Sequence, residues 1–557
     1  MHHSFAALAA LLVLAGCGGE PSEQATQTTD KPIAEAEATD IDGSRLGTVL
    51  VAGSCSEAAE VHLERGLALL HSMTYEEAAK GFAAATEVDP DCSMGYWGQA
   101  MAIVHPLWSD PPSEEAYARG VALLATAREK ASTDHELAYV EALSGYFDVG
   151  RSDRERPNLV AFEAGFQRLH EEWPDDPEGA AFYALAQLST VDPTDKTYSK
   201  QRQAGALAEQ VLASVPDHPG AHHYIIHAYD NPELSTGAVD AARGYSGVAP
   251  EVPHALHMPT HTFTRLGLWQ ESIDWNRRSA DAALKRPVGD QASLHYFHAL
   301  DYLAYAYLQG AEDGRAEDVL EELEAVAPPY QPHLASAYTF AAVPARLTLE
   351  RHLWAEAADL EPRSPAAYPW DTAASSEAIT YFARALGAAR SGRFEQARAD
   401  LETLAGLQAV VEASSPYWGT QVEIQRLSAL AWLQFEEGDQ EAGLETMQQA
   451  AGLEAGTDKH PVTPGEVLPA RELLADMHME LGRFPEALAS YEAALERSPN
   501  RFNSLYGAGM AAARIGEMTK ASGYFEALLE VSERSDTDRP RLVEVRGFMN
   551  AHSAEAA

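Results

Sequence analysis

Small and apolar residues recur along this chain in helical phase, interrupted at intervals by glycine or proline. GRFEQA at 392–397, GRFPEA at 482–487, GLWQES at 267–272 and GEMTKA at 516–521 share one pattern. Each reads as a helix stop, an apolar side chain, and a small residue one turn into the next helix. Elsewhere the chain carries VDPDCSMGYW, WPDDPEGAAFY, VPDHPGAHHY and RSPNRFNSLY, where proline ends one helix and an aromatic residue opens another. Strand-like alternation is negligible. The pattern predicts an all-α chain of paired helices.

Spacing sharpens that reading. Ala487, Tyr491, Ala494 and Pro499 are followed 34 residues on by Ala521 and Phe525, and Ala78, Phe82, Ala85 and Pro90 stand in the same register. This resembles the tetratricopeptide repeat, in which small residues sit where helices cross closely and large ones fill the gaps between them. The resemblance covers most of residues 56–535. It implies roughly ten to thirteen helical hairpins in a right-handed α-solenoid, with residues 536–557 as a C-terminal tail.

Histidine is distributed unevenly on that frame. Seven of the chain's 21 histidines lie within the 44 residues from His218 to His261, six of them in HHYIIHAYD and HALHMPTH. His223 and His257 are 34 residues apart, as are His227 and His261, so each pair occupies equivalent places on neighbouring hairpins. Within each helix the two histidines are four residues apart and share a face. The resemblance puts His254, His257 and His261 on the positions that line the concave groove, with His223, His227 and Asp230 beside them. Allowing for an insert around KRPVGDQ, His298 and Asp301 join the same face. Pro259, between His257 and His261, is a helix-interior proline that would kink the helix and re-aim both rings. His218 and His222 fall off this face.

Neutral imidazoles bind borderline transition metals, and carboxylates complete the shell or orient the rings from behind. The cluster is therefore expected to hold a transition metal, zinc or copper. Two other readings stay open: a metal-free groove that grips a protein partner or small polar ligand, or histidines satisfied by tyrosines and backbone. A metal-dependent enzyme acting on a small polar substrate is a further alternative, with Tyr224, Tyr229, Tyr302 and Glu233 near the cluster. His71, His105, Arg346 and Glu472 are also expected on the groove. Metalloprotease, nucleophile-elbow, phosphate-loop and dinucleotide motifs are absent as placed motifs.

Charge narrows the partners. The chain carries 84 acidic and 40 basic residues, a net of −44, which offers no basic footprint for nucleic acid. The first sixteen residues read as a secretion signal, with an apolar run from Phe5 to Leu14 too short to span a bilayer permanently. Leu14-Ala15-Gly16-Cys17 resembles the lipobox of bacterial lipoproteins, which implies lipid attachment at Cys17 and an address on the periplasmic face of the outer membrane. Membrane contact would be through that anchor only, and the expected protein partner is another envelope protein. Residues 17–55 are polar and acidic and read as a disordered tether. Cys55 and Cys92 precede equivalent helices of the first two hairpins and, in an oxidising compartment, are expected to pair. HHYIIHAYDNPEL, HMPTHTFTRLGLW, DPDCSMGYWGQAM and VTPGEVLPARELL together resemble a bacterial group of long, histidine-containing tetratricopeptide proteins; the resemblance supports the fold and imports no activity.

Overall fold

The computed structural model describes residues 45–50, 53–108, 110–152 and 155–556, the last five of these by backbone only. Cys17, the proposed signal segment and most of the proposed tether lie outside the described residues. From Glu57 to Val531 the chain runs as successive α-helices, mostly in antiparallel pairs, and the helix Pro540–Ala556 follows within the segment read as a tail. Among the described residues there is no strand; isolated bridges include Val288–Gln291 and Ala292–Tyr330.

The residues that set the 34-residue register form the helix contacts. Ala78, Phe82, Ala85, Ala487, Tyr491, Ala494, Ala521 and Phe525 are all buried. Small residues let the helix backbones approach, and the neighbouring ring fills the space left beside them. The turn inside a hairpin takes one residue in the left-handed region, where glycine carries no Cβ penalty. Gly392 (φ 78°) and Gly482 (φ 70°) occupy it, which is why the GRF echoes begin where they do.

The array closes on itself. The first hairpin docks against residues 218–224, where His71 meets Tyr224 and its carbonyl accepts from the His223 ring. Gly220 makes that approach possible, because a Cβ there would lie 2.4 Å from His71 Nδ1. Farther along, Asp230 bonds Lys459, Trp269 bonds the Asn500 carbonyl, and Asp313 pairs with Arg539. The interior that an open solenoid would present as a groove is therefore filled by its own later turns.

This bears on the residues assigned to the groove. His71, Arg346 and Glu472 are buried in packed interior. Arg346 lies 3.4 Å from Asp301 and donates to the Gly465 carbonyl. Glu472 shares Arg501 with Glu350. His105 keeps partial exposure, stacks on Tyr75 and bonds Asp110, and belongs to neither group of three histidines described below. Cys55 and Cys92 form a disulfide, with Cα atoms 4.7 Å apart, joining the starts of the first two hairpins.

Candidate metal centre

Three consecutive first helices carry most of the histidines inward. They are Pro219–Ala228, the broken helix Pro253–His257 and Pro259–Arg265, and Leu294–Gln309. Proline 259 splits the second of these as its missing N–H requires, so that His257 and His261 stand on either side of the break. In the resulting cluster His223, His254, His257, His261 and His298 are at most 2 % exposed, while His227 is half-buried.

The rings fall into two groups of three. His257, His261 and His298 each offer a nitrogen within 4.8 Å of the others, and so do His223, His227 and His254. The groups adjoin, with ring centroids of His227 and His261 5.6 Å apart and of His254 and His257 5.9 Å apart. Trp108, from the loop after the second hairpin's first helix, contacts the rings of His254, His295, His298 and His333. Tyr302 closes another side, its ring edge-on to His257 and its hydroxyl donating to the Thr463 carbonyl at 3.0 Å.

Outer partners fix the tautomers of two rings of the first group. Asn276 donates through Nδ2 to the Ser272 carbonyl, which leaves its Oδ1 to accept the His257 Nδ1–H at 2.7 Å. His261 donates Nδ1–H to Asp230 at 2.9 Å. Both Nε2 atoms are thereby left as bare lone pairs, and they stand 3.0 Å apart. Two lone pairs at that distance repel unless a proton or a metal ion lies between or beside them. Burial among other imidazoles pushes His257 well below its ordinary value, and burial lowers His261 too, so the proton is the disfavoured choice.

Asp230 anchors this arrangement. Burial opposes its charge, but Lys459 and Arg265, with the His261 bond, hold its carboxyl well below the usual range. Lys459 is itself brought down to about 8 by burial. Asp301, also buried, is pushed up to about 6, and neither of its oxygens finds a hydrogen bond. It faces Arg346 and belongs to neither group of three.

A third constellation, His71, Glu178 and His218, has a different character. His71 bonds Tyr224 at 2.9 Å and Glu178 at 2.6 Å. His218 donates to Glu178 through Nε2, while its Nδ1 accepts the Ala221 N–H and caps the helix that carries His223. Glu178 also takes the Leu50 N–H. Every ring nitrogen is engaged, and the network serves to dock the first hairpin. His222 is likewise spent on the carbonyls of Ala241 and Pro216.

The structure thus brings His223, His227, His254, His257, His261 and His298 together, with Asp230 one layer out. His295, His333, Trp108, Asn276, Arg265 and Lys459 also stand at or around this centre, beyond the residues the repeat register marks. His295 carried a signal, three residues before His298 in one helix; His333 stands at the start of the next hairpin's first helix, and Lys459 reaches the centre only through the closure of the array. Tyr224, Tyr229 and Glu233 stand outside the cavity wall: Tyr224 meets His71, Tyr229 bonds Glu209, and Glu233 pairs with Arg202 at the surface.

Comparison with known proteins adds the repeat class. The tetratricopeptide repeat family matches residues 473–539. No curated protein matches the chain. Among solved structures, the human IFIT1 dimer with PPP-AAAA aligns at 11% identity over 86% of this chain and 91% of that one, with a TM-score of 0.38. The human IFIT1 dimer with m7Gppp-AAAA aligns at the same identity and coverage with a TM-score of 0.39. Residues 473–539 thus carry a tetratricopeptide repeat, and the 34-residue register with its buried hairpin contacts gives the rest of the described helices a paired arrangement of the same type.

Proposed function

We propose that this protein holds a transition-metal ion on His257, His261 and His298, at the centre of an exported, lipid-anchored repeat scaffold. The observation that carries the reading is the pair of bare Nε2 atoms 3.0 Å apart, each produced by an outer partner that fixes its ring. Carboxylate–histidine–metal and amide–histidine–metal arrangements orient ligands and raise their basicity in this way. The donor set is all imidazole, which suits zinc or copper over magnesium, calcium or manganese. The anchor at Cys17 would place the scaffold on the periplasmic face of the outer membrane, where its outer surface meets an envelope partner.

The test is elemental analysis of tag-free protein purified from cells supplied with zinc and copper. About one or more ions per chain is the expected result, and His257→Gln with His261→Gln should remove at least one. Metal-free protein after supplementation, or unchanged content in the double variant, overturns the proposal.

A further inference from the structure

His223, His227 and His254 form a second cradle of a kind that structure alone rarely leaves unused. Their nitrogens lie within 4.8 Å of one another. The His223 Nδ1–H is committed to the His71 carbonyl at 2.6 Å, so its Nε2 is a bare lone pair, and that atom has no partner. Neither nitrogen of His227 or of His254 has a partner either, though all four atoms are buried. Five unpartnered polar atoms in one small space represent a large desolvation cost, about 1–3 kcal/mol for each neutral group. The His71–Glu178–His218 network nearby shows that the same fold satisfies buried histidines completely where they are structural.

The two groups of three share a wall. His254 stacks toward His257, and His227 lies edge-on to His261. We infer that the cavity is a paired centre in which His223, His227 and His254 hold a second metal ion beside the first, and that both ions are copper in the cuprous state. This rests on the metal reading above and extends it.

Charge selects the ion. All six ligands are neutral, and Trp108, Tyr302 and Lys459 stand around the cluster, in which five rings are buried and His227 is half-buried. Asp230 is already matched by Arg265 and Lys459, and Asp301 faces Arg346. Each of these two carboxylates thus already faces a cation. Two cuprous ions bring half the positive charge of two divalent ions into this pocket, and the penalty for burying charge rises steeply with its magnitude. Three imidazoles without a carboxylate or water complete a coordination sphere that cuprous copper accepts, whereas a zinc ion would seek a fourth ligand.

Full-length tag-free protein, loaded anaerobically from a cuprous bicinchoninate complex and desalted, should retain two copper ions per chain. His227→Gln with His254→Gln should retain one, and His257→Gln with His298→Gln the other one. Parent protein that saturates at one copper, unchanged by the His227/His254 substitutions, overturns the second site and leaves the first standing. Loss of copper alongside retention of one zinc overturns the cuprous pair but keeps the metal reading, and retention of neither metal overturns both. X-ray absorption on the loaded parent protein needs no variant. It should show about three nitrogen neighbours per copper with imidazole outer-shell scattering; a sulfur neighbour, or four or more light neighbours, would refute the assignment.

Discussion

Replacing Asp230 with asparagine tests how the centre is supported. Asp230 accepts from Arg265 Nε at 2.7 Å, Lys459 Nζ at 2.9 Å and His261 Nδ1 at 2.9 Å, and all four side chains are buried. The substitution keeps the shape but leaves two buried cations facing a neutral amide. Stranding a buried charge costs about 3–5 kcal/mol, so urea unfolding of the metal-free variant should shift by that much. Metal affinity should fall separately, by about 10–100-fold, because His261 loses the carboxylate that orients it. The two effects can be parted. Adding Lys459→Met removes one stranded cation and should return roughly half of the lost stability, but it cannot restore the carboxylate charge behind His261. Stability would be followed by circular dichroism and affinity by competition with a chromophoric chelator. If Asp230→Asn unfolds within about 1 kcal/mol of the parent, or if Lys459→Met restores affinity as well as stability, the account of Asp230 as a shared counter-ion and ring support is wrong.

Reduction of Cys55–Cys92, which closes a loop of 36 intervening residues, should cost about 3–4 kcal/mol on the loop-entropy model; hydrogen exchange should quicken in helices Glu57–His71 and Tyr75–Val88, and uniform exchange would count against a local clamp. Arg501→Met strands Glu350 and Glu472, both at 1 % exposure, and should destabilise by about 3–5 kcal/mol; a stability equal to the parent's would show that the ionic cluster contributes nothing net. Burial pushes Asp476 up to about 6, above its value in the unfolded chain, so its protonated form stabilises the fold at low pH and that contribution is lost as pH rises through about 6. Asp476→Asn should therefore gain about 1–3 kcal/mol on the parent between pH 4.5 and 7.5, after allowance for partial exposure; a difference that is the same at both pH values contradicts the sign.

The repeat was legible because it is written in local chemistry. Ala78 and Ala487 must be small, Phe82 and Tyr491 must fill the adjoining gap, and the glycines of the GRF turns must adopt positive φ. The phase of His223 with His227, and of His257 with His261, followed from the same periodicity, and the facing helices bring these rings into one space. What sequence could not convey was the return of the chain. Arg346 and Glu472 have groove-facing positions by register, yet they are buried because later hairpins bring Gly465 and Arg501 against them. Lys459 reaches Asp230 across 229 residues of sequence. No local pattern marks such a partner, since it depends on small rotations summed over many repeats.

The closure of the array also sets an order on assembly in time. The histidines from His223 to His298 are made first, whereas Lys459 and the Thr463 carbonyl that seal them are made much later. His298 and Thr463 are 165 positions apart (463 − 298), which at synthesis rates of about 5–20 residues per second is roughly 8–33 s. Throughout that interval the emerging chain carries a full set of ligands and no lid. A stalled chain ending before Lys459 would display the ligands in exchange with every metal around it, and only the finished protein would keep what it had taken.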